Sequence, residues 1–204
     1  FNAMRKVIPQ HELFVCASAG NHAQGVAFMC KHFAVRGVIF MPVTTPDQKV
    51  MKTRLFGGDH VEVRLTGDYF DQTLAEAQRF CTEADGHFLS PFDDEDVIEG
   101  QASVASEIAA QLGHTPDRIV LPVGGGGLIS GVAVALKSTR PDIRVIGVQA
   151  EGADSAVRSF HEGRRIEALD TRTIADGIKV GGVGELCFDV IQNWVDEMVT
   201  VDDA

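Results

Sequence analysis

The stretch RIVLPVGGGGLISGVAVALK, residues 118–137, decides the fold class of this 204-residue chain. It begins with a Val-, Ile- and Leu-rich run typical of a buried strand, passes through four successive glycines, and ends in apolar residues with helical spacing. Each glycine costs about 0.5–1 kcal/mol relative to alanine in regular structure, unless the backbone needs a positive φ or must admit a ligand. The stretch therefore predicts a strand–turn–helix unit whose turn either is merely tight or lies against a ligand.

The same alternation of apolar runs and helix-spaced segments extends over the whole chain. Most of the runs are rich in Val and Ile, and several are nearly continuous in apolar character, as in parallel strands covered on both faces. We therefore predict an α/β protein with two open parallel sheets, each in an αβα layer arrangement, the second incomplete. The predicted strands are residues 13–17, 35–41, 60–65, 87–90, 118–123, 144–150 and 198–201.

Capping residues predict several helix ends. Thr45 before Pro46 is typical of an N-cap followed by proline at the first helical position, and Gly57 is expected to close that helix. Asp68 is expected to cap the next helix, and Gly113 to end the one after that.

Composition excludes several classes of partner. Eighteen basic against 29 acidic residues leave a formal charge of −11, which argues against nucleic acid and anionic membrane surfaces. The chain has no run of about 18 apolar residues and no signal-peptide pattern, so the cytoplasm is the expected location. The four cysteines lack metal-ligand spacing and are expected to be small buried hydrophobes: Cys16, Cys30, Cys81 and Cys187.

The glycine turn is the stronger of two candidate ligand sites. Consecutive amides at a helix N-terminus form a nest that stabilises a phosphate. The Walker pattern fails because no Gly-Lys-Ser/Thr follows, and the dinucleotide fingerprint fails because Ile129 or Ser130 stands at its third glycine. A single phosphate monoester fits better, although Glu151 as a ribose acceptor keeps a dinucleotide domain open as an alternative.

The second candidate is the loop Ser18-Ala19-Gly20-Asn21-His22-Ala23-Gln24-Gly25 between a strand and a helix. Small residues let a ligand approach the backbone, and first-turn amides favour an anion such as a carboxylate. A helix capped through a glycine-rich turn is the simpler alternative.

Acidic side chains and one irregular segment give weaker signals. The run Asp93-Asp94-Glu95-Asp96 is expected to favour the positive end of a helix dipole, with a metal site as the alternative. Glu151 and Asp154 form a second possible cation site, against a solvated loop. Residues 163–184 are the least regular part of the chain and are expected to form a loop near a site.

The two loops together resemble the pyridoxal-phosphate (PLP) enzymes of fold type II, the tryptophan synthase β-like group, and most closely the serine/threonine dehydratases of the biosynthetic type. Further matching segments cover nearly the whole chain: 41–46, 56–58, 91–101 and 175–178. The resemblance implies conversion of L-threonine, and L-serine, to 2-oxobutanoate, or pyruvate, and ammonia. It also implies a domain of residues 14–91 and a larger PLP-binding domain of 1–13 and 92–204, with the cofactor in the cleft between them.

The resemblance implies roles for particular residues. Asn21 is expected to hydrogen-bond the 3′-oxygen of PLP, while Ser18 and the amides of Ala19, Gly20 and His22 bind the substrate carboxylate. Related serine racemases have a serine where Ala19 stands, and a methyl group cannot carry a proton, so elimination without efficient racemisation is expected. Glu151 matches a divalent-cation ligand of some relatives. The amides expected to hold the cofactor phosphate are those of Gly124, Gly125, Gly126, Gly127 and Leu128.

One departure from the family pattern concerns the catalytic lysine. The family's Schiff-base lysine precedes the segment that Phe1-Asn2-Ala3-Met4 resembles, so it is expected upstream of Phe1, and the 204 residues alone are expected to be inactive. The intact protein is expected to be a homo-oligomer acting on a small amino acid. The alternatives are a serine racemase-like or other fold-type-II lyase, a non-catalytic PLP-binding subunit, and a dinucleotide-binding oxidoreductase domain.

Overall fold

The computed structural model describes residues 1–168 and 170–204, apart from the side chain of Asp71. It confirms the predicted α/β class, because the seven strands in the described ranges all pair in parallel, within two sheets. Each predicted strand is present with its ends shifted by no more than two residues. The chain divides into two compact units, Phe1–Pro91 and Phe92–Ala204, which are described separately below.

Helices and strands alternate in both units. The first unit comprises α1 (Asn2–Val7), β1 (Leu13–Ala17), α2 (Asn21–Phe33), β2 (Arg36–Met41), α3 (Asp47–Gly57), β3 (Val61–Leu65), α4 (Phe70–Glu83) and β4 (His87–Phe88). The second comprises α5 (Glu95–Leu112), β5 (Arg118–Pro122), α6 (Gly127–Thr139), β6 (Arg144–Ala150), α7 (Ser155–Glu162), α8 (Glu185–Trp194) and β7 (Glu197–Val201). Short 3-10 turns lie at Gly58–His60, Glu151–Ala153 and Asp176–Ile178.

The sheet of the first unit has the strand order β3-β2-β1-β4 and is covered on both faces. Because side chains alternate along a strand, Phe14 and Cys16 pack on one face with residues of α2, whereas Val15 and Ala17 pack on the other with residues of α4. Both faces of β1 are therefore apolar, which explains its continuous hydrophobic run.

Residues 1–13 group with the first unit in this structure, although the sequence assigns them to the larger domain. The reason is hydrophobic contact, since Met4 of α1 is 2% exposed and belongs to the same buried cluster as Phe14 and Leu89. The domain assignment for the intact protein stays a prediction.

The sheet of the second unit has the order β5-β6-β7 and an asymmetric pair of faces. On one face, Ile119, Leu121 and Val145 pack with side chains of α5, α6, α7 and α8. On the opposite face, Val120 is 61% exposed and Val201 is 51% exposed.

Two of the predicted helix caps are wrong and two are confirmed. Pro46, not Thr45, occupies the N-cap position of α3, and Tyr69, not Asp68, that of α4; neither makes a side-chain cap. At α4 the backbone amide of Asp68 instead donates a hydrogen bond to Oε1 of Gln72 at 2.8 Å. Gly113 ends α5 with a left-handed φ of 74°, and the α3 helix closes at Gly57 as expected.

The acidic run at residues 93–96 lies at the N-terminus of α5, as predicted from the preference of carboxylates for the positive end of a helix dipole. Asp94 is the N-cap of α5 and accepts a hydrogen bond from the amide of Val97 at 2.9 Å, with Glu95 and Asp96 in the first turn. This arrangement satisfies one of the helix's unpaired amides and places negative charge at its positive end.

Helix α6 packs tightly against α5 at Gly131. A Cβ atom at this position would overlap the carbonyl oxygen of Ile98 and lie 2.8 Å from Cβ of Gln101. Both neighbours belong to α5, and a backbone carbonyl cannot rotate away as a flexible side chain can. The small residue on α6 therefore sets the distance between the two helices.

Asp196 ties the end of α8 to the sheet of the second unit. Its Oδ1 lies 2.6 Å from Nζ of Lys137, and its Oδ2 accepts a hydrogen bond from the amide of Val145 at 2.7 Å. Burial acts to raise the pKa of Asp196, but these two hydrogen bonds and the positive charges of Lys137 and Arg144 together outweigh burial and hold the pKa below its usual value. The charged carboxylate thus contributes to the stability of the fold.

Replacing Gly131 by alanine tests the close approach of α5 and α6. Helix propensity alone predicts a gain of up to about 1 kcal/mol, whereas crowding against Ile98 predicts a loss of about 1–3 kcal/mol. We expect the loss for Gly131→Ala, measured by urea unfolding followed by Trp194 fluorescence. Gly25→Ala in α2, where a Cβ would meet nothing within 4 Å, serves as the control and is expected to be neutral or stabilising by circular dichroism. An unchanged urea midpoint for Gly131→Ala would contradict the crowding.

Replacing Asp196 by asparagine tests the ion pair. A hydrogen bond to a charged group contributes about 1.5–3 kcal/mol, so Asp196→Asn is expected to lower the free energy of unfolding by about this amount near pH 7. Because the folded-state pKa is lowered, the contribution is fully present above the unfolded value and is lost as the pH falls through the folded value. The difference between wild type and variant should be constant from about pH 5 to 7 and shrink below about pH 4.

The control for that experiment is Asp189→Asn, on the exposed face of α8. Asp189 forms no ion pair among the described residues, so its replacement is expected to have a small effect. A difference for Asp196→Asn that persisted unchanged at pH 3 would assign the loss to packing rather than to the charge.

Candidate functional site

The glycine turn of the second unit connects β5 to α6. The amide of Val123 donates to the carbonyl of Val148 at 2.8 Å, so the chain stays paired with β6 up to the first glycine. Gly126 then takes a left-handed φ of 99°, and its carbonyl accepts a hydrogen bond from the amide of Ser130 at 3.0 Å to start the helix. The turn needs glycine here, because an L-residue rarely adopts this conformation.

The amides of the turn fit an anion. Gly125, Gly126 and Gly127 are buried, yet the described hydrogen bonds give none of the amides of residues 124–128 a protein acceptor. Buried unpaired amides cost free energy and require an explanation. A phosphate group supplies three oxygens as acceptors and is favoured by the positive end of the α6 dipole.

Three contacts that the sequence did not predict crowd the turn from outside. A Cβ at Gly125 would overlap the ring of Phe92, and one at Gly124 would lie 3.1 Å from Cα of Ile178. The carbonyl of Gly125 accepts a hydrogen bond from the amide of Gly184 at 3.0 Å. Two of these neighbours come from residues 163–184, so the prediction that this segment lies near the candidate site is confirmed for its described part.

A cavity of about 350 Å³ opens beside the turn, at the carboxyl ends of β5, β6 and β7. Its walls include Pro122 just before the glycines and Ile178, which contacts Gly124. Open parallel sheets characteristically bind ligands outside the carboxyl ends of their strands. The lining is apolar apart from Gln149 and the acidic residues at positions 202 and 203.

The second candidate loop, residues 18–22, lies in the first unit at the start of α2. The amide of Ser18 donates to the carbonyl of Phe40 at 3.0 Å, and Oγ of Ser18 accepts from the amide of Gly20 at 3.1 Å. The ring nitrogen Nε2 of His22 lies 3.1 Å from the carbonyl oxygen of Leu89, just after β4. The loop is therefore held by β2 on one side and by the end of β4 on the other.

The polar groups of this loop differ in their availability to a ligand. Asn21 is exposed, and the amides of Ala19 and Asn21 have no acceptor in the part of the chain that the structure describes. By contrast, the amide of Gly20 and Oγ of Ser18 bond to each other, so a carboxylate would have to compete with that internal contact.

The cation site suggested by Glu151 gains no partner from the structure. Glu151 is exposed on a 3-10 turn, and Asp154 pairs with Arg158 at 3.0 Å. Across the described ranges, His, Cys, Asp and Glu side chains form no group of three or more that could hold a metal ion. The cation at Glu151 stays a prediction.

A buried polar residue near Glu151 was missed by the sequence analysis. Gln149 is fully buried, and its Oε1 accepts from the amides of Ala156 and Val157 at 2.8 and 2.9 Å. This caps α7 through a side chain of β6. Gln149 reads as one more residue of an apolar strand, so no local signal distinguishes it.

The four cysteines are placed as the sequence predicts. All four cysteines are buried and free, and burial raises the pKa of Cys187 to about 12, so its thiol stays protonated at neutral pH. None of the six lysines is buried, and Lys137 pairs with Asp196. No helix of the described residues has the length and apolar character that crossing a bilayer requires.

Comparison with known proteins identifies a family. The family model described as "Pyridoxal-phosphate dependent enzyme" matches residues 2–204. The biosynthetic L-threonine dehydratase IlvA of Lactococcus lactis subsp. lactis (strain IL1403) is 44% identical over 193 residues, which are 93% of this chain and 46% of that protein. The biosynthetic L-threonine dehydratase IlvA of Bacillus subtilis (strain 168) is 44% identical over 187 residues, 92% of this chain and 44% of that protein. The chain thus spans about half the length of these relatives.

Solved structures agree with the sequence relatives. The processed form of threonine deaminase isoform 2 from Solanum lycopersicum aligns with a TM-score of 0.91 and 39% identity, covering 98% of this chain and 55% of that one. Maize serine racemase aligns with a TM-score of 0.90 and 31% identity, covering 99% of this chain and 60% of that one. The similarity extends over the whole described fold, including both candidate loops. The chain therefore belongs to the family of pyridoxal-phosphate dependent enzymes and has the α/β architecture of its fold type II.

Proposed function

We propose that this chain forms part of a PLP-dependent threonine dehydratase, which converts L-threonine, and also L-serine, to a 2-oxo acid and ammonia. The observation that carries the proposal is the row of amides without acceptors at residues 124–128, of which Gly125, Gly126 and Gly127 are buried, a site that suits the phosphate of PLP. The 44% identity to proteins named threonine dehydratase supports the choice of reaction.

The glycine turn is proposed to anchor the cofactor through its phosphate. The amides of Gly124, Gly125, Gly126, Gly127 and Leu128 donate to phosphate oxygens, and the α6 dipole adds to the attraction. Hydrogen bonds from fixed amides in a buried turn need little reorganisation on binding, so the cofactor is held in one orientation. The neighbouring cavity of about 350 Å³ has room for a ring of the cofactor's size.

The loop of the first unit is proposed to act on the ring and the substrate. Asn21 hydrogen-bonds the 3′-oxygen of PLP, and Ser18 with the amides of Ala19, Gly20 and His22 binds the substrate carboxylate. His22 supports the loop from behind through Leu89. The methyl group of Ala19 cannot donate or accept a proton, which favours elimination over racemisation.

When bound, PLP supplies an electron sink that stabilises negative charge at the substrate α-carbon. This chain's residues contribute orientation: they fix the phosphate at one end and the carboxylate at the other, which lowers the entropic part of the barrier. The general base and the β-hydroxyl's proton donor are not assigned to any residue of positions 1–204. The intact enzyme is proposed to be a cytoplasmic homo-oligomer, and a cation at Glu151 remains part of the proposal.

Phosphate anchoring predicts that the chain distinguishes PLP from pyridoxal, which lacks the phosphate. We expect wild-type protein to bind PLP at least about tenfold more tightly than pyridoxal in isothermal titration calorimetry, equivalent to about 1.4 kcal/mol. Gly126→Ala should remove that difference, because a Cβ there would strain the φ of 99° and lie 2.8 Å from Cβ of Cys187.

Gly113→Ala is the matched control for backbone strain. Gly113 also has a positive φ, of 74°, but no neighbour lies within 4 Å of a Cβ there, and it ends α5. This variant should retain the preference for PLP. Equal affinity of the wild type for PLP and pyridoxal, or tighter binding of NAD than of PLP, would refute the proposed phosphate site.

The placement of the six lysines predicts that the polypeptide of residues 1–204 does not turn over L-threonine. With PLP present, we expect no 2-oxobutanoate above the level released by free PLP, and no single lysine that is modified in preference to the others after borohydride reduction and mass spectrometry. The reason is that none of the lysines is buried beside either loop. An adduct at a single lysine, together with turnover, would show that this chain contains the nucleophile.

A further inference from the structure

We propose that Asp93 is a positioning residue that fixes the direction of the Gly126 amide in the phosphate-binding turn. The inference rests on the proposed function of that turn and adds a residue that touches neither PLP nor the substrate. Asp93 precedes Gly124, the first glycine of the turn, by 31 residues and belongs to the acidic run before α5. Only its neighbour Asp94 caps that helix.

The side chain of Asp93 caps α8 instead of α5. Its Oδ2 accepts a hydrogen bond from the amide of Glu185 at 2.9 Å, and its Oδ1 accepts one from the amide of Cys187 at 3.2 Å. A carboxylate at the first turn of a helix is stabilised by both amides and by the helix dipole. Asp93 therefore holds the N-terminus of α8, including the preceding residue Gly184, at a defined place.

Gly184 transmits this placement to the glycine turn. Its amide donates to the carbonyl of Gly125 at 3.0 Å. In a planar trans peptide, the carbonyl oxygen of one residue and the amide hydrogen of the next point in opposite directions. Turning the Gly125 carbonyl toward Gly184 therefore turns the Gly126 amide away from α8, and frees it for a ligand on the other side.

Further contacts hold the same cluster together. The thiol of Cys187 donates to the carbonyl of Phe92 at 3.3 Å, and Phe92 packs on Gly125 and Gly127. A Cβ at Gly184 would overlap the carboxylate of Asp93, so the N-cap residue of α8 must be small for the capping contact to form. The glycine turn is thus fixed from one side by residues 92–93 and from the other by residues 184–187.

Charge alone makes the opposite prediction for Asp93. A carboxylate near an anion site repels the anion, so removing it would tighten phosphate binding if electrostatic repulsion were its main effect. A positioning role predicts weaker binding, because the Gly125–Gly126 peptide loses its fixed direction and the bound amide must be ordered at the time of binding. The sign of the change in affinity separates the two effects.

The test follows inorganic phosphate binding to the [15N]glycine-labelled chain by amide chemical shifts of residues 124–127. Asp93→Ala is expected to weaken phosphate binding about five- to tenfold, the loss typical of one hydrogen-bonded contact. Hydrogen exchange of the Gly184 amide should speed up in the same variant, because its bond to the Gly125 carbonyl is no longer held. Asp93→Asn keeps one acceptor oxygen and should give an intermediate affinity, which preserves the test if Asp93→Ala does not fold.

Asp94→Ala is the matched control. It removes the same charge one residue away and costs α5 its cap, but the described hydrogen bonds and ion pairs include none between Asp94 and α8. This variant should keep the phosphate affinity within about twofold of wild type, and its Gly184 amide should stay protected from hydrogen exchange. Asp93→Ala and Asp93→Asn variants that bind phosphate as tightly as Asp94→Ala would overturn the positioning role while leaving the phosphate site intact. Wild-type protein without saturable shifts at residues 124–127 would instead overturn the proposed function, and this inference with it.

Discussion

A buried amide without a hydrogen-bond acceptor costs free energy, and this constraint explains how the strand, the turn and the helix at residues 118–139 use their backbone groups. The strand β5 uses its backbone groups on β6, and α6 uses its own carbonyls, but the turn between them cannot do either. The surrounding residues satisfy one carbonyl of the turn, that of Gly125, and leave the neighbouring amides unpaired. The fold thus tolerates a local cost at the place where a phosphate would remove it.

The two candidate loops use the same principle with different supports. The turn at residues 124–127 is buried and packed against Phe92 and Ile178, so its geometry is set by tertiary contacts. The loop at residues 18–22 is more exposed and is held by Ser18 to its own backbone and by His22 to Leu89. The two loops therefore differ in burial and in the contacts that support them.

Strands and loops were predictable because their signals are local. Apolar runs located the seven strands of the described residues to within two residues, and the run of four glycines indicated a turn in which Gly126 takes a φ of 99°. Caps were less predictable: Thr45 and Asp68 have the right chemistry, but the backbone begins each helix later, at Asp47 and Phe70. The first residue of each helix depends on the direction in which the chain leaves the preceding strand, and this direction cannot be predicted from the local sequence.

Contacts between distant segments were not predictable from spacing. Asp93 and Asp94 are adjacent and chemically identical, yet one caps α5 and the other α8, more than 90 residues away. Similarly, Gln149 lies in an apolar strand and its capping role depends on α7 folding back over β6. Such roles follow from topology, so they become visible only once the order of the strands is known.

The sheet of the second unit has a consequence for handling the polypeptide. Parallel sheets are nearly always covered on both sides, but Val120 and Val201 stand exposed on one side of β5-β6-β7. Apolar side chains exposed on the face of a sheet lower solubility and promote self-association. Spectroscopy of the isolated 204 residues should therefore be accompanied by light scattering at several protein concentrations, because self-association through this face would change the measured stability.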